Sequence, residues 1–181
     1  MTERGIMSKS NHYIDNKEFF SAMCDWKDEI KVSEDQGESK PPVTNYIGEC
    51  FMKIAERLAQ KPNFAMYPYK DEMISDAIEN CIMYAHNFNP EKSVNPFSYF
   101  TQIIYYAFLR RIEKEKKQSY IKFKLMEMHD DGTVSTWLKE NYFEKNNDTE
   151  ALREHFRLSK DDVDRLASKN KKKKGSTGPF E

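Results

Sequence analysis

Apolar residues recur at three- and four-residue steps along most of the chain up to Lys117, and proline, glycine or clustered polar residues mark the breaks. From Asn16, read as an N-cap, Phe19, Met23, Trp26 and Ile30 fall on one helical stripe. The stretch Ser33 to Pro42 (SEDQGESKPP) is polar, with one glycine and two prolines, and reads as an exposed loop. A second helix over about Asn45 to Gln60 turns Ile47, Phe51, Ile54, Ala55 and Leu58 inward and stops before Lys61-Pro62. Phe64, Tyr67 and Tyr69, set among Pro62 and Pro68, are expected to fold back and close the base of a helical bundle.

The stretch from Asp71 to Lys117 carries the most information. A third helix, from Asp71 to about His86, places Met73, Ile74, Ala77, Ile78, Cys81 and Ile82 on one buried stripe. Glu72, Asp76 and Glu79 cluster opposite, Ser75 lies near their edge, and no Lys or Arg stands between Asp71 and Glu91 to neutralise them. A solvated acidic face fits this pattern, and so does a docking face for a basic protein surface. The connector FNPEKSVNP holds two Asn-Pro steps, which push the residue before each proline out of helical geometry. Asn95 is then an N-cap with Pro96 at the first helical position. The helix that follows buries Phe100, Ile103, Ile104, Ala107 and Phe108, while its other face carries Tyr99, Gln102, Tyr106, Arg110 and Glu113.

Seven basic residues follow between Arg110 and Lys124, including Arg111, Lys114 and Lys117, against only Glu113 and Glu115. Cations in that number attract phosphate. Aromatic rings sharing a face with an arginine form a platform for unstacked bases, the usual means of holding single strands. Half-buried packing tyrosines with a solvated basic end would give the same pattern.

Beyond Lys117 the signal weakens. Tyr120 to Met128 is apolar and basic and extends the preceding helix; HDDGT reads as a turn, and Trp137 to Phe143 as a short helix. Leu152 and Phe156, a break around Arg157 to Lys160, then Val163 and Leu166, with Ser159 as cap, match the apolar skeleton of a helix-turn-helix. Its second helix carries Asp161, Asp162 and Asp164, which repel phosphate, so a protein-contacting module or a plain hairpin is expected there. Lys171 to Lys174 reads as solvated and disordered, and GSTGPFE as flexible. The expected organisation is an N-terminal arm over 1–14, a helical domain over 15–118, a linker over 119–147, a helical hairpin over 148–170 and a basic tail over 171–181. The fold class is all-α: a helical bundle with a C-terminal helical extension.

Composition narrows the classes. The net charge of −1 over 181 residues conceals the local segregation just described. Cys24, Cys50 and Cys81 are widely spaced and odd in number, which argues against a disulfide framework or zinc knuckle and for small core residues in a reducing cytosol. No apolar run approaches bilayer length, and MTERGIMSKSNH has no signal-peptide core, so no membrane partner is expected. The four histidines lack metal-ligand spacing, and no phosphate-binding glycine loop or nucleophile elbow occurs. The expectation is a protein that is not an enzyme and takes no cofactor.

The order EMISDAIENCIMYAHNF, a short polar turn, FSYFTQ and an aromatic-basic helix ending RRIEKEKK resembles conserved region 2 of the sigma-seventy family. More closely, it resembles the late-transcription sigma factors of T-even-like phages. The likeness extends upstream through DNKEFFSAMCDWKDEI and covers roughly residues 13 to 118, in pattern and order more than in single diagnostic positions. It implies that the acidic helix binds the clamp coiled coil of the largest subunit of core RNA polymerase. Glu72, Ser75, Asp76, Ile78 and Ile82 fall on those positions, and Glu79 shares their face. It also implies that the aromatic helix melts an AT-rich −10-like element and holds the non-template strand of promoter DNA. Tyr99 falls on the aromatic that stacks on the flipped adenine opening the bubble, and Tyr106 and Arg110 on upstream −10 positions. Housekeeping sigmas place two tryptophans as a wedge where this chain has Gln102 and Ile103, so strand separation is expected to depend more on Tyr99, Tyr105 or Tyr106, or on an activator. Arg111, Lys114 and Lys117 complete the expected DNA set.

The resemblance further implies the cytoplasm of an infected bacterial host and leaves a late coactivator and the sliding clamp open as partners. For the clamp, Phe180 and Glu181 are at most a remnant of the family's hydrophobic-acidic tail peptide. Some related sigmas carry DNA-mimicking acidic segments after the first helix, but Lys40 offsets Glu34, Asp35 and Glu38 here, and the loop reading stands. The rival class is a polymerase-binding helical adaptor or anti-sigma-like regulator that does not read DNA. It would use the acidic face but gives no reason for Tyr99, Tyr106 and Arg110 to share an exposed one.

Overall fold

The computed structural model describes residues 13–127, 153–154 and 156–174. The chain is all-α, with no strand among the described residues. The helices described from end to end are α1 (Asn16–Asp35), α2 (Asn45–Ala59), α3 (Pro62–Ala65), α4 (Lys70–Tyr84, extended by a 3-10 turn over Ala85–Asn87), α5 (Pro96–Glu127) and α6 (Lys160–Lys174). None of the described helices is long and apolar enough to cross a membrane. The chain divides between Arg111 and Ile112 into two compact units, so α5 contributes to both.

The first unit is organised by aromatic rings at its centre. Phe100 of α5 lies 4.4 Å from Phe51 of α2, 5.7 Å from Phe19 of α1 and 6.1 Å from Phe88, centroid to centroid, and all four are fully buried. Such pairs contribute about 0.5–1.5 kcal/mol each beyond the burial of their area. The predicted inward residues of α1 and α2 are all buried. Phe64 of α3 closes one end, edge-on to Phe108 at 5.1 Å, and Tyr67 and Tyr69 are half-buried beside it in sequence. Cys50 and Cys81 are buried and Cys24 is partly exposed, all as free thiols.

Several local expectations are corrected. Asp15, not Asn16, caps α1, its carboxylate accepting from the backbone N–H groups of Lys17 and Glu18. The Asn16 side chain instead accepts from the backbone N–H of Phe97 at 3.2 Å, joining the start of α1 to the start of α5. α1 runs on through Asp35, so the exposed loop begins at Gln36 and not at Ser33. Polar residues here extend the helix because their side chains stay in water, and the turn waits for Gly37, whose φ of 70° suits glycine. Trp26 then holds the loop's far end, its indole N–H donating to the Pro42 carbonyl at 3.0 Å. Asn95 does cap α5, accepting from the Ser98 N–H at 3.0 Å.

In the second unit, Tyr120 and Phe123 of α5 pack with Leu158 and with Leu166 of α6, and Phe156, Val163 and Ala167 surround them. The linker expected to begin at residue 119 therefore starts as helix with core residues. The turn before α6 is a Schellman arrangement: Leu158 N–H donates to the Arg153 carbonyl at 3.0 Å and Arg157 N–H to Glu154 at 2.9 Å, with Arg157 left-handed at φ 54°. Ser159 caps α6 as expected, accepting from the Asp162 N–H at 3.1 Å. Asp162, expected to repel phosphate, is only 8% exposed. Its carboxylate accepts from Lys116 Nζ at 2.8 Å, from the Ser159 hydroxyl at 2.8 Å and from Arg165 at 3.3 Å. α6 continues through Lys174, so the backbone of the lysine run is helical, where disorder was expected. Leu152, the HDDGT turn, the Trp137–Phe143 helix, residues 1–12 of the arm and the tail from Gly175 lie outside the described residues.

Burial pushes the Asp162 carboxyl up, but the hydrogen bonds and charge of Lys116 and the Ser159 bonds outweigh it and hold it below the ordinary aspartate value. A folded pKa below the unfolded one gives stability that is present above the unfolded value, about 3.9, and lost as pH falls through the folded value. Asp162→Asn is expected to lower stability at pH 7 by about 1–3 kcal/mol. In urea titrations followed by circular dichroism, its difference from the native protein should shrink as the pH falls below about 4.

Candidate nucleic-acid interface

Three contacts show how α4 and α5 meet. Asp76 pairs with Arg111, Asn80 with Arg110, and Phe88, just past α4, with Tyr99. Numbers rise along one helix as they fall along the other, so the two run antiparallel. Between the second and third contacts lies a cleft of about 300 Å³ lined by Tyr84, Tyr99, Gln102, Ile103, Tyr106 and Arg110.

Each lining residue is set by its position on a helix. Phe100 must point inward, so Tyr99, one residue earlier, lies at the edge of the buried stripe, and Tyr106 projects farther out. Tyr99 is half-buried and rests edge-on against Phe88 at 5.3 Å and Phe100 at 5.1 Å, which fixes its ring. Burial, followed by the neighbouring Cys81 thiol, pushes its hydroxyl pKa up. Tyr106 is 56% exposed and Gln102 is exposed. Ile103, expected in the core, is half-buried in the cleft wall because Ile104 and Ala107 already fill the inward positions. Tyr105 does not line the cleft; its ring stands edge-on to Phe64 at 5.8 Å and to Tyr106 at 5.8 Å.

The arginines divide. Arg110 donates to the Asn80 side-chain carbonyl at 2.8 Å and stays exposed at the cleft. Arg111, expected to face DNA, turns 100° away along the helix and donates to Asp76 Oδ2 at 3.2 Å, its side chain only 16% exposed. Lys114 and Lys117 are exposed on the part of α5 that belongs to the second unit.

On α4 the buried row is Met73, Ala77 and Cys81, a strict four-residue step. Ile74 and Ile78 are half-buried, and Ile82, expected inside, is 50% exposed. Glu72, Ser75 and Glu79 are exposed. Asp76 is half-buried, and the cation that pairs with it comes from α5.

Tyr84 is the lining residue that the sequence reading passed over. Its signal was present: it falls off the apolar row of α4, so its ring, 44% exposed, has no core position to enter. The cleft thus combines flat aromatic surface, a side-chain amide able to donate and accept, and a guanidinium. That set suits a planar heterocycle attached to an anionic backbone. Among the described residues no group of His, Cys, Asp and Glu is placed to hold a metal ion. Comparison of the chain with protein-family models and with curated proteins gives no match.

The two arginines should separate experimentally. Arg111→Ala leaves Asp76 without its partner in a half-buried setting and is expected to cost about 1–3 kcal/mol in urea unfolding. Arg110→Ala, at an exposed contact, should cost less than about 1 kcal/mol.

Proposed function

We propose that the chain is a sigma-type specificity subunit that brings core RNA polymerase to promoters with an AT-rich −10-like element and holds the non-template strand as they open. The observation that carries this reading is the convergence of Tyr99, Tyr106 and Arg110 on one cleft beside exposed Gln102, the aromatic and cationic set that captures unstacked bases. Tyr99 is the fixed stacking surface, Tyr106 the outer ring and Arg110 the cation for the backbone. Lys114 and Lys117, in the second unit, are exposed cations that attract phosphate in their own right. The polymerase contact falls to Glu72, Ser75, Glu79 and Ile82 of α4, which are all exposed. About 140° of helix turn separates Glu79 from Tyr84, so both partners can be held at once. Arg111 and Asp76 act through their mutual pair, which ties the two working helices together. The resemblance of residues 13 to 118 to sigma region 2 supplies the identity of the partners. Polymerase carries out all the chemistry.

The test is reconstituted transcription with bacterial core polymerase on a fully duplex AT-rich promoter template, with mapped transcript starts and permanganate footprinting of strand opening. Tyr99→Ala and Tyr106→Ala are expected to reduce opening by about 5–150-fold, the loss of one stacked base, while core binding persists. Glu72→Lys with Glu79→Lys should abolish core binding and leave the fold intact. Asp76→Lys is a poorer probe, because it also breaks the pair with Arg111. Failure of the native chain to bind core polymerase, or normal opening by all these variants, would overturn the proposal.

A further inference from the structure

We infer that Tyr84, on the helix assigned to polymerase, is the second stacking wall for a single unpaired base, facing the tyrosines of α5 across the cleft. This inference rests on the nucleic-acid part of the proposed function and adds a residue to it from the other helix.

The argument begins with the antiparallel pairing of α4 and α5. One turn along α4 from Asn80 is Tyr84; one turn back along α5 from Arg110 is Tyr106. The Asn80–Arg110 hydrogen bond of 2.8 Å closes the level on one side, and the Phe88–Tyr99 ring contact of 5.3 Å closes it on the other. Between these two levels lies the cleft, and Tyr84 and Tyr106 both line it with large exposed rings.

Two exposed rings bordering one gap leave apolar surface in water, and a guest between them would remove that surface from both at once. The cleft of about 300 Å³ stands at the lower limit of small-ligand pockets and so suits one planar ring system rather than a folded peptide. Its remaining groups fit a base. Ile103 gives an apolar wall, Gln102 an amide that can match a base edge, and Arg110, held by Asn80, a cation placed for the attached phosphate. The other five lining residues all stand on α5. Tyr84 is therefore the aromatic surface on the α4 side.

The test uses the full chain and a short single-stranded oligonucleotide of AT-rich sequence carrying one 2-aminopurine, whose fluorescence falls when the base stacks. The native chain is expected to bind and quench it. Tyr84→Ala should weaken binding by about tenfold, within the range for one lost stacking partner, and lose most of the quenching, while Tyr84→Phe retains both. Tyr84→Leu keeps apolar bulk without a π face and should behave as Tyr84→Ala does, which separates stacking from packing if the alanine variant unfolds. Circular dichroism and affinity for core polymerase should be unchanged in the phenylalanine and leucine variants. Native-like oligonucleotide binding by Tyr84→Leu, with Tyr106→Ala weakened, would overturn the role of Tyr84 and leave the nucleic-acid reading standing. Loss of polymerase affinity in Tyr84→Leu with unchanged oligonucleotide binding would move Tyr84 to the protein interface and overturn it too. A native chain that neither binds nor quenches would overturn both.

Discussion

The contact on which the first unit depends is the insertion of Phe100 among Phe19, Phe51 and Phe88. One ring on α5 reaches partners on α1, on α2 and in the turn after α4, and so fixes the rotation of α5 about its own axis. With that rotation set, a step of about 100° per residue decides the rest. Ile104, Ala107 and Phe108 go inward, Tyr99 and Ile103 reach the boundary, and Gln102, Tyr106 and Arg110 go out. The cleft is in this sense a by-product of the core. Side chains that would otherwise be indifferent surface residues are delivered to one side of one helix, next to the end of another.

Electrostatics complete what the rings begin. Each unit has a carboxylate drawn into partial or full burial by a cation from α5, Asp76 by Arg111 in the first and Asp162 by Lys116 in the second. A half-buried charge without its partner is costly, so these pairs specify which helix faces meet. They also remove charges that the sequence offers for binding. The basic run from Arg110 to Lys124 spends Arg111 and Lys116 within the fold, while Lys114 and Lys117 stay exposed.

The helices and their inward residues were legible in the sequence because apolar spacing reports burial directly; Phe19, Met23, Trp26 and Ile30 on α1 are an instance. The shared face of Tyr99, Gln102, Tyr106 and Arg110 was legible for the same reason, since residues on one helix have a fixed angular relation. What spacing cannot report is which residue another helix presents. Arg111 looked like a phosphate contact because its partner Asp76 lies 35 positions upstream. Tyr84 gains its significance from α5, which its own spacing cannot show, and Asn16, an N-cap by sequence, serves Phe97 instead. Apolar spacing on α4 suits a stripe two residues wide that includes Ile82, but Met73, Ala77 and Cys81 already fill the width the bundle has to offer.

The position of Phe100 late in the first unit has a consequence for biosynthesis. Phe19 and Phe51 leave the ribosome long before the ring that unites them, so a nascent chain ending before α5 displays the inner faces of α1 and α2 with nothing to cover them. Closure must await the last helix of the unit. Products truncated ahead of it are therefore prone to clump or to be degraded.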